Sequence, residues 1–257
     1  MLRCNRLTQA MIMVLLVSIQ IGAQQSREHG EERGQPERHR DRWYWQMPLR
    51  VMNEIGVTEG KTVADVGAGD GYFTFLLAEQ VGQEGKVYAS DIDEKALQVI
   101  RDRCKKEEIK NVSVILGKED DPLLPKGSID LVLMVNTIHL VEKKDVFLKN
   151  IMTSLKPGGI LVIVQWDADK MDPEAPGWDP KDRELYTLRT NLGHIYGAGY
   201  EVLDIMAFLP MQNIYICRPA EGNRGEIKWR PREYSDLRFY SQNAISSRSV
   251  SSPDTQA

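Results

Sequence analysis

Residues 62–81 carry an apolar β-branched run, three alternate glycines and an apolar pattern of helical spacing, in that order. Thr62 to Val66 is short and suits a strand covered on both faces. Gly67, Gly69 and Gly71 follow. From Tyr72 to Val81 apolar residues recur at Phe73, Leu76, Leu77 and Val81 until Gly82 stops the pattern. A strand that runs through a glycine-rich turn straight into a helix is either a nucleotide cradle, with a ligand expected over the turn, or a plain tight turn. Alternate glycines let the main chain turn sharply and let a ligand lie against bare backbone, where a Cβ would hold it off.

Val87 to Ser90 reads as a second strand with Asp91 at its end, about as far beyond the glycines as dinucleotide folds place the acid that grips ribose hydroxyls. A carboxylate accepting from hydroxyls makes charge-assisted hydrogen bonds of about 1.5 to 3 kcal/mol each. Asp91 is assigned to ribose and Asp93 to the N-cap of a helix opening near Glu94; the competing assignment is that either acid only caps.

The rest of the chain alternates in the same way. Leu97, Ile100 and Cys104 stripe a helix over Glu94 to Glu108, and Val112 to Leu116 and Ile129 to Val135 read as the third and fourth strands. Val146, Phe147, Ile151 and Leu155 share one face of a helix from Asp145, which Lys156-Pro157-Gly158-Gly159 is expected to end before a fifth strand, Ile160 to Val164. A helix around Arg183 to Ile195 precedes strands at Tyr200 to Ala207 and Ile214 to Cys217. Their link, Leu209-Pro210-Met211-Gln212, is too short for a crossover and permits an antiparallel pair. The expected fold class is α/β: a Rossmann-like, doubly wound, seven-stranded sheet, mostly parallel with an antiparallel last strand.

These landmarks resemble the class I S-adenosylmethionine-dependent methyltransferases. Asp65-Val66-Gly67-Ala68-Gly69-Asp70-Gly71 looks like their first motif and Asp91 like their ribose-binding acid. Gly117 to Val132 resembles the loop and fourth strand that flank adenine, and Leu155 to Val162 the turn and fifth strand. The resemblance covers about Trp43 to Pro219. It is closest to a subgroup that carries Gln-x-Pro before the first strand, here Gln46-Met47-Pro48, and an export signal.

The resemblance implies S-adenosyl-L-methionine as cofactor, bound by Asp65, Gly67, Ala68, Gly69, Gly71, Asp91, Ile92, Glu119, Asp120 and Asn136. It also puts Asn136 and His139, after the fourth strand, against the methyl group and the incoming nucleophile. Many relatives have an acid directly after the glycine of the adenine loop, where this chain has Lys118. Lysine donates to ring nitrogens but cannot accept from the exocyclic amine, so that contact falls to Glu119, Asp120 or backbone, and equally the acidic run is a solvated loop face. Methyl transfer is an in-line displacement governed by alignment. His139 suits a general base with a pKa near neutrality, or a residue that packs a turn. Trp43, Tyr44 and Trp45 suit either a lid over the sulfonium or a cover for the core edge. Asp167 and the loop through Pro173, Pro176, Trp178 and Pro180 are expected to rim the acceptor pocket.

With 257 residues, 42% hydrophobic and 27% charged, the chain has enough for one full core. A formal net charge of −4 lacks the basic excess of nucleic-acid binders. Arg3 and Arg6, the apolar run Ala10 to Ile21 and Gly22-Ala23 have the layout of a secretory signal over residues 1–23. The run is shorter than the roughly 20 residues a span needs, although Ile21 fits the cleavage pattern poorly and an uncleaved anchor is the alternative. A polar linker over 24–41, the methyltransferase domain over 42–219 and a polar, largely disordered tail over 220–257 complete the expected organisation. The product would be exported, periplasmic or secreted, with a small-molecule acceptor, no nucleic-acid partner and no stable membrane insertion after cleavage. Neither the cysteines nor the scattered histidines show metal-ligand spacing. Two other functions fit parts of the pattern: a non-catalytic nucleoside-binding protein of the cell envelope, and a nicotinamide oxidoreductase, which the late strand pair disfavours.

Overall fold

A computed structural model describes residues 37–171 and 180–220. The expected signal, most of the expected linker, the loop residues Pro173, Pro176 and Trp178, and the tail beyond Ala220 lie outside the described residues. The chain forms two units, one ending at Arg42 and one from Trp43 onward. Of the first, the described part is the opening of helix α1, Glu37–Gln46, so residues 37–41 of the segment read as linker are helical.

The second unit holds α2 (Pro48–Glu54), β1 (Thr62–Val66), α3 (Tyr72–Val81), β2 (Lys86–Asp91), α4 (Glu94–Lys106), β3 (Val112–Leu116), β4 (Ile129–Val135), α5 (Lys144–Ser154), β5 (Leu155–Trp166), α6 (Leu188–Gly197), β6 (Tyr200–Met206) and β7 (Gln212–Pro219). The sheet has seven strands in the order β3-β2-β1-β4-β5-β7-β6. β1 to β5 run parallel, and β7 lies antiparallel between β5 and β6, as the short link before it requires. The expected fold class holds. Strand order reverses between β1 and β4, so the ligand crevice of such a sheet opens at the carboxyl ends of these strands.

Alternation along the strands sorts the core into two faces. Val63, Leu133, Val164 and Ile214 pack with residues of α2 and α3, while Val66, Met134, Ile163 and Tyr215 pack with residues of α5 and α6. On β5 and β7 this puts Trp166 and Gln212 toward the first face, Gln165 and Asn213 toward the second. Asp93 caps α4 as expected, accepting from the Lys95 and Ala96 amides at 2.9 and 3.4 Å.

Besides β7, which opens at Gln212 inside the expected link, two boundaries differ from the sequence-based expectation. Lys156 to Gly159 is not a turn between helix and strand: α5 ends at Ser154 and β5 begins at once, with a register shift between Ile129 and Leu131. Pro157 drives Lys156 into extended backbone, and Gly159 lets the strand close on Ile129, whose carbonyl would lie 2.8 Å from a Cβ there. The helix expected around Arg183 to Ile195 is divided. A 3-10 stretch, Pro180–Tyr186, precedes α6 because the Thr187 hydroxyl accepts from the Thr190 amide and opens a new helix. No helix among the described residues is long and apolar enough to cross a membrane.

Candidate active site

The glycine turn is pinned from β2. The amides of Gly67 and Ala68 both donate to Ser90 O, at 2.8 and 3.2 Å, and the Gly69 amide donates to Asp91 Oδ2 at 2.8 Å. Gly67 has φ +75° and lies so close to Thr137 that a Cβ would come 2.1 Å from its Oγ1. Gly69 has φ +54° and differs in surroundings: a Cβ there would meet nothing within 4 Å. Bare backbone therefore serves two ends in this turn, close packing at Gly67 and an open seat at Gly69. α3 starts directly after it at Tyr72, with Gly71 at the N-cap and no side-chain cap.

Asp91 faces the seat. Its Oδ2 takes the Gly69 amide and its Oδ1 the Asp93 amide at 2.9 Å. An ionised carboxylate has about four lone-pair sites, so both oxygens keep accepting capacity for hydroxyls. Asp65 is only 2% exposed and its Oδ2 accepts from the Thr74 hydroxyl at 2.7 Å, tying β1 to the first turn of α3.

Beside Asp91 opens a cavity of about 470 Å³, lined by Ile92, Lys118, Glu119, Asp120 and Lys143 among others. That is the size class of small-ligand sites. Ile92 is 61% exposed, an apolar surface at the end of β2 with no core to cover. The loop that faces it is a tight turn: Lys118 N donates to Asp121 O at 2.7 Å, which puts Glu119 and Asp120 at the tip. The acid set and the lysine line one cavity, so Lys118 adds a donor without displacing the acceptors. A nucleoside fits these residues, with ribose on Asp91, a flat ring against Ile92, and backbone approach at Gly69.

The mouth of β4, β5 and β7 carries the second half of the site. Asn136 follows β4 with φ +53°, in the left-handed region where non-glycine residues are uncommon, and its Oδ1 accepts from Gln212 Nε2 at 2.6 Å. Gln212 Oε1 in turn accepts from Gln46 Nε2 at 3.3 Å; both glutamines are fully buried. Trp45 stacks on Trp166 with ring centroids 5.1 Å apart. His139 Nδ1 lies 3.1 Å from Gln165 Nε2, and its ring meets Tyr186 edge-on at 5.2 Å. Burial pulls the His139 pKa below its ordinary value and Lys144 adds to this. Asp167 is buried and accepts from Asn213 Nδ2 at 2.8 Å and from the Asp169 amide at 3.0 Å.

A family model described as a methyltransferase domain matches residues 57–192, more than half of the chain. The chain belongs to the methyltransferase-domain family. Relatives by sequence are the demethylmenaquinone methyltransferases of Listeria monocytogenes, 32% identical over 50% of this chain and 52% of that protein, and of Geobacillus stearothermophilus, 36% identical over 45% and 49%. The chain spans about half the length of these curated relatives. Among solved structures, a SAM-dependent methyltransferase from Aquifex aeolicus is 26% identical, covers 72% of this chain and 99% of that one, and superposes with a TM-score of 0.63. The family's cofactor is S-adenosylmethionine, and the open seat at Gly69 with the acid beside it fits that group.

Within this methyltransferase domain the predicted residues separate into groups. Gly69, Asp91, Ile92, Glu119 and Asp120 line the seat and the cavity beside it, while Gly67 and Ala68 shape the turn from within. Asp65 Oδ2 accepts from the Thr74 hydroxyl, so the acid braces the turn. Asn136 and His139 share the β4 end with residues that the sequence did not single out: Gln165, Gln212, Tyr186 and Thr137. In the sequence Gln46 stands out only as part of Gln-x-Pro. A polar residue at the very end of an apolar strand run, as Gln165 is, was the available signal. Trp43 to Trp45 belong to α1, and Trp45 covers Trp166. Among the described residues no His, Cys, Asp and Glu cluster could hold a metal, and Cys104 and Cys217 are free thiols.

Proposed function

We propose that the protein transfers the methyl group of S-adenosylmethionine to a small-molecule acceptor. The observation that carries this reading is the Asp91 carboxylate held by the Gly69 amide beside open space at that glycine. When bound, S-adenosylmethionine supplies an electrophilic methyl group; the chain's own task is to hold, align and dehydrate. Asp91 accepts from ribose hydroxyls, Lys118 donates to ring nitrogens, and Glu119 or Asp120 accepts from the exocyclic amine. Asn136 and His139 line the acceptor side, with Trp166 and Tyr186 providing flat surfaces near it.

A small acceptor is supported by the names of the Listeria and Geobacillus relatives, which give demethylmenaquinone as the methylated compound. The net charge of −4 speaks against nucleic acid. Export through residues 1–23 belongs to the same proposal, and N-terminal sequencing of the protein from fractionated cells tests it. For the activity, the full chain is titrated with S-adenosylhomocysteine by calorimetry. It is then incubated with labelled S-adenosylmethionine and fractionated extract. Binding, with label entering the low-molecular-weight fraction, is expected; no binding, or label only in protein, overturns the proposal.

A further inference from the structure

Asn136 and His139 follow the same strand, and each is held by a glutamine from a neighbouring one. Gln212 gives its oxygen to Gln46 Nε2, so its amino group is what meets Asn136, and the Asn136 carboxamide must turn its oxygen inward. Gln165 gives its oxygen to the Trp166 amide at 3.1 Å, so its amino group is what meets His139 Nδ1. An imidazole that accepts at Nδ1 carries its proton at Nε2 when neutral. Neither Asn136 Nδ2 nor His139 Nε2 has a hydrogen-bond partner among the described residues. For His139 to take up a proton at Nδ1, Gln165 would have to turn its amide over and abandon the Trp166 amide.

We infer that Gln165 and Gln212 are positioning residues which fix His139 and Asn136 as hydrogen-bond donors, and that the acceptor is an acidic hydroxyl compound, a phenol or enol, bound as its oxyanion. The inference rests on the proposed methyltransferase activity and names its substrate class. A neutral His139 whose only lone pair already faces Gln165 has no free base to offer, so the acceptor must lose its proton to solvent before transfer. In the transfer the oxyanion's electron pair, at oxygen or at a conjugated carbon, forms the bond to methyl as the sulfur–carbon pair returns to sulfur. With transfer to carbon, the ring proton then leaves to water.

The test uses the full chain saturated with S-adenosylhomocysteine. Side-chain nitrogen NMR, with His139 assigned among the four histidines through H139Q, is expected to find neutral His139 protonated at Nε2. In Q165E, a near-isosteric carboxylate that can only accept moves that proton to Nδ1. 4-Nitrophenol as probe is expected to bind as its phenolate, read from its visible absorbance below its own pKa. Q165E and Q212E each weaken this at least about tenfold, while Q165E leaves S-adenosylhomocysteine affinity unchanged. A wild-type Nδ1–H tautomer, binding of the neutral phenol, no binding of the phenol, or variants that hold phenolate as tightly as wild type overturns the inference. Failure of the wild type to bind S-adenosylhomocysteine removes the underlying methyltransferase reading and the inference with it, so the two failures are told apart.

Discussion

Gly69 and Asp91 lie 22 residues apart in sequence and are joined by a hydrogen bond of 2.8 Å from the glycine amide to the carboxylate. The bond fixes the acid at the rim of the seat before any ligand arrives, so little side-chain ordering is left to oppose binding. Asp91→Ala is expected to weaken S-adenosylmethionine and S-adenosylhomocysteine binding by about 1.5 to 3 kcal/mol. Calorimetry with both nucleosides checks this, and an unchanged affinity would take Asp91 out of the site.

The two glycines of the turn should respond differently to the same change. At Gly67 a methyl group meets Thr137 at 2.1 Å with φ at +75°, so Gly67→Ala should lower stability by about 1 to 3 kcal/mol or more. At Gly69 the methyl group enters open space, and the φ of +54° costs only about 1 to 2 kcal/mol. Gly69→Ala should therefore fold and lose cofactor affinity. Thermal melts paired with calorimetry separate the two, and identical profiles for both variants would contradict the assignment of distinct roles.

The Thr74 hydroxyl is buried and donates to Asp65 at 2.7 Å. Thr74→Val keeps the shape and removes a donor from a buried carboxylate, which should cost about 1.5 to 3 kcal/mol. The denaturant midpoint should fall accordingly; if it does not move, Asp65 is not a brace for the turn.

Lys170 Nζ donates to the carbonyls of Ala207, Leu209 and Gln212, at 2.9, 3.1 and 2.7 Å. Burial pulls its pKa down to about 8, with Asp167 opposing. Between about pH 8 and the ordinary lysine value the unfolded chain holds a proton that the folded chain has released, so stability gains with rising pH in that window and loses the gain as pH falls through 8. The stability difference between wild type and Lys170→Met should be flat below pH 8 and grow above it. Urea titrations across this range decide the matter, and a difference that does not vary with pH would refute it.

Thr62 to Val66, Val112 to Leu116 and Ile129 to Val135 could be bounded from sequence because each is an apolar run closed by turn-forming or charged residues. The seat was legible for the same reason: a glycine turn and an acid at a strand end are local patterns. Gln212 was not, since it falls in what looks like a connecting link and its partner Gln46 is 166 residues away. Gln165 hides at the end of a hydrophobic run, where nothing in its neighbours marks the imidazole it will meet. Asp65 shows the opposite limit. Its place in the motif was plain, but the direction of its carboxylate depends on Thr74, one turn into the next helix.

β7 runs against its neighbours, so its first residue, and not its last, lies beside the ends of β4 and β5. It is also the last strand of the sheet to leave the ribosome. A nascent chain that has emerged only as far as β6 already owns the glycine turn, Asp91 and the adenine loop, but lacks the amide that orients Asn136. The orientation of Asn136 therefore waits for the strand that also joins β6 to β5, so the β4 end is the last part of the sheet to be completed as the chain is made.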